Sequence, residues 1–356
     1  METSRVNDSF LVLFLEPIRA YLEDESVSEI LINGPKNVYV EKHGHLERVN
    51  AQFVSEQGLR AAAMNIAKSV GRMLNEENPR LDARLPDGSR VHAVLPPLSR
   101  IGTIIAIRKF GRETLTIERM HSFGSVDDST VKLLRAMVLL HRNLLVSGAT
   151  STGKTSVLNV LSSFIPDNER ILVIEDSSEL QLQQSHVVPF ETRTPDAHGR
   201  GEVTIRDLIR SSLRLRPDRI VIGEIRGGEA LDLIQALNTG HAGSMSTIHA
   251  NSPEDALRRL ETNALLSGVE IPLRALRDQV VSGINAVIHA TRYSDGSRKI
   301  SDIAEVMPLE NGEFRMRPLM KFRMTSIDGN GKVMGEFVKL NEPSFAEEAR
   351  IYGIEL

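Results

Sequence analysis

The hydrophobic pattern of the chain changes character near residue 128. Before it, short apolar alternations predict narrow strands at EILING (29–34), NVYVEK (37–42), HLERV (45–49), SRVHAVLP (89–96) and IGTIIAIRKF (101–110). Pro86, Asp87 and Gly88 supply the turn before the last pair. An apolar segment over 8–22 is interrupted by Pro17, which predicts one short helix followed by another. Residues 55–72 are alanine-rich and amphipathic, with Ser55 placed as an N-cap, and predict a longer helix. After Asp128, continuous aliphatic runs at 143–147, 171–175, 219–223 and 244–248 alternate with helical patterns at 128–141, 154–164, 228–238, 253–266 and 272–283. Such runs belong to a largely parallel sheet covered on both faces. Beyond residue 284 strands return, with Gly-containing turns at 295–296, 311–312 and 328–331.

Composition narrows the chemistry. The 356 residues include no cysteine, which excludes disulfides, thiolate zinc sites, iron–sulfur clusters and cysteine nucleophiles. With 43 basic against 47 acidic residues the net charge is −4, and aromatic residues make up only 4%. Both weigh against a broad grip on nucleic acid. No apolar run approaches the ~18 residues of a membrane span, and the opening METSRVNDSF lacks the apolar core of a secretory signal. The expected location is the cytoplasm.

The sharpest motif is Gly148-Ala149-Thr150-Ser151-Thr152-Gly153-Lys154-Thr155, followed by Ser156. It matches the phosphate-binding loop pattern and lies directly after a predicted strand and before a predicted helix. Its glycines let backbone N–H groups close on phosphate oxygens; Lys154 supplies charge for the β- and γ-phosphates of ATP and Thr155 a hydroxyl for Mg²⁺. Two acidic sets follow strands at the edge where ligands bind in open parallel sheets. One is Glu175, Asp176 and Glu179; the other is Glu224, placed as the Walker B carboxylate that holds Mg²⁺ through water or polarises the attacking water. His241 and His249 flank a polar strand, and His249 is positioned to meet a γ-phosphate or the attacking water. Seven arginines fall between 193 and 219. Arg206, Arg210 and Arg214 share a helix face by spacing, so an anionic partner is expected for them: carboxylates of a neighbouring subunit, a nucleotide or nucleic acid. Arg84, Arg90, Arg100 and Arg108 scatter around strand ends of the first region.

With GATSTGKT, IEDSSELQL, HVVPFETRTPD and the long run from GEVTIRDLIR to STIHANSPEDALRRLE in this order, the sequence resembles the secretion ATPase superfamily of type II and type IV secretion and type IV pili. Within it, the similarity is greatest to the CpaF-type ATPases of tight-adherence pili. The resemblance implies an α/β fold: a RecA-like P-loop ATPase domain over 128–356 with a strand-rich C-terminal extension, a linker over 113–127, and a smaller N-terminal α+β, PAS-like domain over 1–112. It implies a homohexamer working with inner-membrane platform proteins and without direct nucleic-acid contact. By motif, Glu175 is the general base, Glu179 closes the same acidic box, and His249 belongs to a His box that His241 opens. Arg90 and Arg108 stand where family arginines approach the nucleotide. The absent cysteines disfavour the branch that carries a four-cysteine metal module. Two other readings remain open on the same core: a nucleic-acid translocase, and a nucleotide-gated assembly subunit without significant turnover.

Overall fold

The computed structural model describes residues 14–42, 44–109, 115–195 and 199–356. The chain divides into two compact units, Met1–Glu113 and Thr114–Leu356, each built on its own sheet.

Of the helical segment expected over 8–22, residues 8–13 lie outside the described residues. A 3₁₀ turn at Glu16–Ile18 accommodates Pro17 in its first turn, where no intrahelical N–H is needed, and helix α1 (Arg19–Glu23) follows. Strands β1 (Val27–Asn33), β2 (Val38–Lys42) and β3 (His45–Val49) form a meander. Helix α2 (Glu56–Ser69) follows, its first turn capped by Ser55 Oγ, which accepts from the Gly58 N–H at 3.1 Å. Strands β4 (Arg80–Arg84), β5 (Arg90–Val94) and β6 (Ile104–Arg108) complete an antiparallel sheet in the order β3-β2-β1-β6-β5-β4. The apolar stripe Leu59, Ala62, Ala63, Ile66 of α2 shares one buried cluster with Ile30, Val91 and Ile107. Strand alternation turns the neighbouring positions to the other face. There Glu41, Glu29, Arg108, Arg90 and Arg84 are successive cross-strand partners, a row that is acidic at one end and basic at the other. Strand β4 escapes the sequence pattern because it is an edge strand with three charged residues in five.

The second unit begins inside the span expected as linker. Helix α3 (Ile117–Ser122) is capped by Thr116, and Met120 and Val126 are buried in this unit's core. The segment's polar composition hides those two anchors. Helix α4 (Asp128–Leu139) leads to β7 (Leu144–Gly148), helix α5 (Lys154–Ser162), β8 (Ile171–Glu175) and β9 (Val187–Glu191). Helix α6 (Ile205–Ser212), β10 (Arg219–Ile225), α7 (Glu229–Leu237), β11 (Met245–His249), α8 (Pro253–Leu265) and α9 (Leu273–Gly283) follow. The chain closes with β12 (Ala286–Arg292), β13 (Arg298–Glu310), β14 (Glu313–Ile327), β15 (Val333–Lys339) and a last helix, α10 (Ala346–Ile351).

The sheet runs β15-β14-β13-β12-β7-β11-β10-β8-β9, parallel from β12 to β9 and antiparallel from β12 to β15. In β7, Leu144 and Val146 join the core that includes α4 and α5, while Leu145 joins the core that includes α6 to α9. Burial on both faces is why this strand is continuously aliphatic. The sequence pattern does not predict edge strand β9, since Pro189 interrupts it; at an edge a missing N–H is tolerated. Asn311 and Gly312, with φ of 53° and 80°, form the two-residue turn between β13 and β14.

The arginine-rich segment differs from expectation. Helix α6 ends at Ser212, so Arg214 lies beyond it. The anion that Arg206 and Arg210 require is buried Asp232 of α7 in the same chain, at 2.7 and 2.9 Å. Arg219 is fully buried: its guanidinium forms a two-pronged pair with Glu169, at 2.6 and 3.1 Å, and donates to the Val138 carbonyl at 2.9 Å. It lies at the start of β10, the sheet edge away from the phosphate loop. Replacing Glu169 by alanine is expected to cost about 3–5 kcal/mol by leaving a buried cation half-paired. Urea unfolding measures this; a loss below about 1 kcal/mol, the scale of an exposed pair, would contradict the assignment.

Candidate active site

The phosphate loop leaves β7 through Gly148. A Cβ there would lie 2.5 Å from both the Ala290 carbonyl and Thr152 Oγ1, so only glycine permits this path. Ser151 and Gly153 take left-handed backbone angles (φ 61° and 90°), and Gly153 is the residue from which α5 starts. Thr152 Oγ1 and Lys154 Nζ both donate to the Ala149 carbonyl, at 2.9 and 3.0 Å. Lys154 is the first helical residue and is nearly buried; Thr155 and Ser156 follow in the same turn, where helix N–H groups have no internal acceptor. This cradle of glycines, an ammonium and helix N–H groups suits a nucleotide's phosphates.

Neighbouring strands deliver the remaining groups. Strands β7, β11, β10 and β8 are adjacent and parallel, so their C-terminal ends lie along one edge of the sheet. His249 ends β11 in register with Gly148. Between Ile222 and Ile225 the register of β10 slips by one residue against β11. Gly223 and Glu224 sit in this bulge, a device that re-aims a side chain at a strand end. Lys154 Nζ lies 3.2 Å from His249 Nδ1, and His249 Nε2 lies 2.8 Å from Glu224 Oε1. An ammonium can only donate, so His249 Nδ1 accepts and the imidazole proton sits on Nε2, facing the carboxylate. Burial, with the neighbouring Lys154 and Arg226 cations, holds this imidazole below its ordinary value against the pull of Glu224.

The other oxygen of Glu224 accepts from Arg226 Nε at 2.6 Å, and Arg226 Nη1 donates to Asp176 Oδ2 at 3.2 Å. Lys154, His249, Glu224, Arg226 and Asp176 are thus linked continuously. Arg226 was missed in the sequence; its only local signal is the Arg-Gly-Gly that follows Glu224-Ile225. Glu175 is buried at the end of β8, and its Oε1 accepts from the N–H groups of Glu179 and Leu180 at 2.9 and 3.0 Å. It thereby shapes the acidic turn that carries Glu179. A Cβ on Gly223 would lie 3.0 Å from Glu175 Cγ, so this glycine makes room for the acid from the neighbouring strand.

Three further expected residues lie on other elements. His241 precedes β11, at the opposite end of the strand from His249, and its Nδ1 lies 3.2 Å from the Ala236 carbonyl. Arg90 and Arg108 are direct cross-strand partners in the first unit. For Mg²⁺, Thr155 and Glu224 offer the hard oxygen donors that the ion takes in ones and twos alongside phosphate, so the residues fit it.

The sequence pattern of the family described as type II/IV secretion system protein matches residues 14–303. A Mycobacterium tuberculosis protein named for conjugal transfer is 34% identical over 302 residues, covering 83% of this chain and 84% of its own length. The type IV secretion system protein VirB11 of Bartonella quintana is 31% identical over 328 residues, covering 81% of this chain and 91% of its own. Among solved structures, the Legionella pneumophila ATPase DotB superposes with a TM-score of 0.56 at 19% identity, over 83% of this chain and 80% of that one, a likeness of fold. The smaller sheet unit followed by a larger parallel-sheet unit, the phosphate loop and the matched span place this chain in the type II/IV secretion ATPase superfamily.

Proposed function

We propose that this chain is an ATP-hydrolysing motor that assembles as a homohexamer and powers pilus assembly or protein secretion across the bacterial inner membrane, as in the CpaF-type ATPases of tight-adherence pili. The observation that carries the reading is the linked set Lys154–His249–Glu224–Arg226–Asp176 beside a glycine-shaped phosphate loop. A charged network on adjacent strand ends gives phosphoryl transfer what it needs, which is positioning and electrostatic stabilisation. Lys154 and the α5 N–H groups hold the phosphates. Thr155 and Glu224 would hold Mg²⁺, which neutralises phosphate charge when bound. Glu175 serves as the general base, held in place by the turn that Glu179 closes. His249 sits between Lys154 and Glu224, where it meets the γ-phosphate or the attacking water. Arg90 and Arg108, from the basic end of the charged row, approach the nucleotide of their own or an adjacent subunit.

Among the described residues no helix is long and apolar enough to cross a membrane. On the family resemblance, the motor's push is assigned to membrane platform proteins as partners and the chain itself to the cytoplasm. The test is phosphate release by the purified chain with MgATP, measured with light scattering for mass. Turnover that disappears with EDTA, in particles of six chains, is expected. A chain that binds MgATP without turning it over would instead favour a nucleotide-gated subunit.

A further inference from the structure

The phosphate loop has a partner far along the chain. We propose that Arg298, the first residue of β13, is a positioning residue for nucleotide binding that holds the loop in its phosphate-ready shape; this rests on the ATPase reading above. Arg298 Nε donates to the Ser151 carbonyl at 2.9 Å. A loop that turns its N–H groups toward an anion turns carbonyls away from it, and a protein donor on such a carbonyl fixes the loop where water would leave it loose. Ala149 finds its donors inside the loop, in Thr152 and Lys154. Ser151 finds one 147 residues away. Ser151 is also the loop's non-glycine residue in the left-handed region, a conformation that persists when its surroundings fix it. The stem of Arg298 lies against the loop's second glycine: a Cβ on Gly153 would meet Arg298 Cδ at 3.4 Å.

Arg298 acts from a fixed support. Its own carbonyl accepts from Ser125 Oγ at 2.6 Å, the next residue's Lys299 Nζ donates to the Gly124 carbonyl at 2.8 Å, and the Ile300 N–H donates to the Ser125 carbonyl at 3.0 Å. The start of β13 is thus tied to the 124–125 segment on one side and to the phosphate loop on the other.

The loop would hold the β-phosphate, which ADP and ATP share in ground and transition state alike. Loosening it removes uniform binding, which raises KM and leaves kcat. The experiment titrates MgADP and MgATP onto the full chain and measures kcat and KM for phosphate release, in wild type, R298A, R298M and R298K. R298M keeps the stem against Gly153 and removes the donors, so it separates the bond from the packing. Both R298A and R298M are expected to bind either nucleotide about tenfold more weakly, with KM rising in step and kcat within about twofold. R298K retains a donor and is expected within about threefold of wild type. Wild-type affinity in R298M, a fall in kcat at unchanged KM, or R298K no better than R298M would overturn the role of Arg298. A wild-type chain that neither binds nor hydrolyses ATP would overturn the ATPase reading itself.

Discussion

Replacing Lys154 by alanine is expected to reduce steady-state phosphate release by about 10²–10³-fold, the scale for removing one preorganised charge from a transferring phosphoryl group. The geometry explains why so little should remain. Lys154 is nearly buried at the first turn of α5 and is held by the Ala149 carbonyl and His249 Nδ1. A neutral methyl there removes the cation that the phosphates would displace from those two acceptors. It also leaves His249 facing Glu224 without the ammonium that fixes its tautomer. The measurement is phosphate release from wild type and K154A under the same MgATP concentrations. Equal rates in the two would sink the motor reading, because no mechanism through this loop survives the loss of its lysine.

Glu224→Gln is expected to separate binding from chemistry. Glutamine keeps the size of the side chain and loses the charge that both His249 and Arg226 face. The phosphate cradle on α5 is untouched, so ATP affinity should stay within about threefold, while turnover falls by about 10²–10³-fold, the scale for removing one preorganised charge from the reacting centre. Nucleotide titration and single-turnover hydrolysis on the same preparation distinguish the two effects. Near-normal turnover in E224Q would remove Glu224 from its assigned role. Loss of ATP binding would instead make Glu224 a group needed to hold the nucleotide.

What could be read from the sequence follows from how locally each feature is encoded. The phosphate loop was legible because its backbone path imposes residues over eight consecutive positions, Gly148 and Gly153 above all. The parallel strands were legible because two-sided burial forces aliphatic runs such as Leu144–Val146. Strands β4 and β9 were not, since an edge strand needs little apolar surface and tolerates Pro189. Arg226 and Arg298 were hidden for a different reason. Asp176, which Arg226 meets besides its near neighbour Glu224, and Ser151, which Arg298 meets, lie 50 and 147 residues away, and only the fold brings them near. The arginines at 206 and 210 suggested an external anion for the same reason, because Asp232 becomes their neighbour only when α6 packs beside α7. The helix at 117–122 was obscured because its polar segment buries little beyond Met120 and Val126, while Phe123 is exposed.

The sheet also acts as a ruler. Neighbouring strands are spaced by about 4.8 Å, so the ends of β7 and β8, three steps apart, stand about 14 Å from each other at the backbone. Lys154 enters from one end of that interval and Glu175 from the other, with His249 and Glu224 on the two strands between. Strand spacing is fixed by backbone hydrogen bonds, so side-chain substitutions leave it unchanged. The backbone spacing of the residues along this edge is therefore set by the order of strands in the sheet.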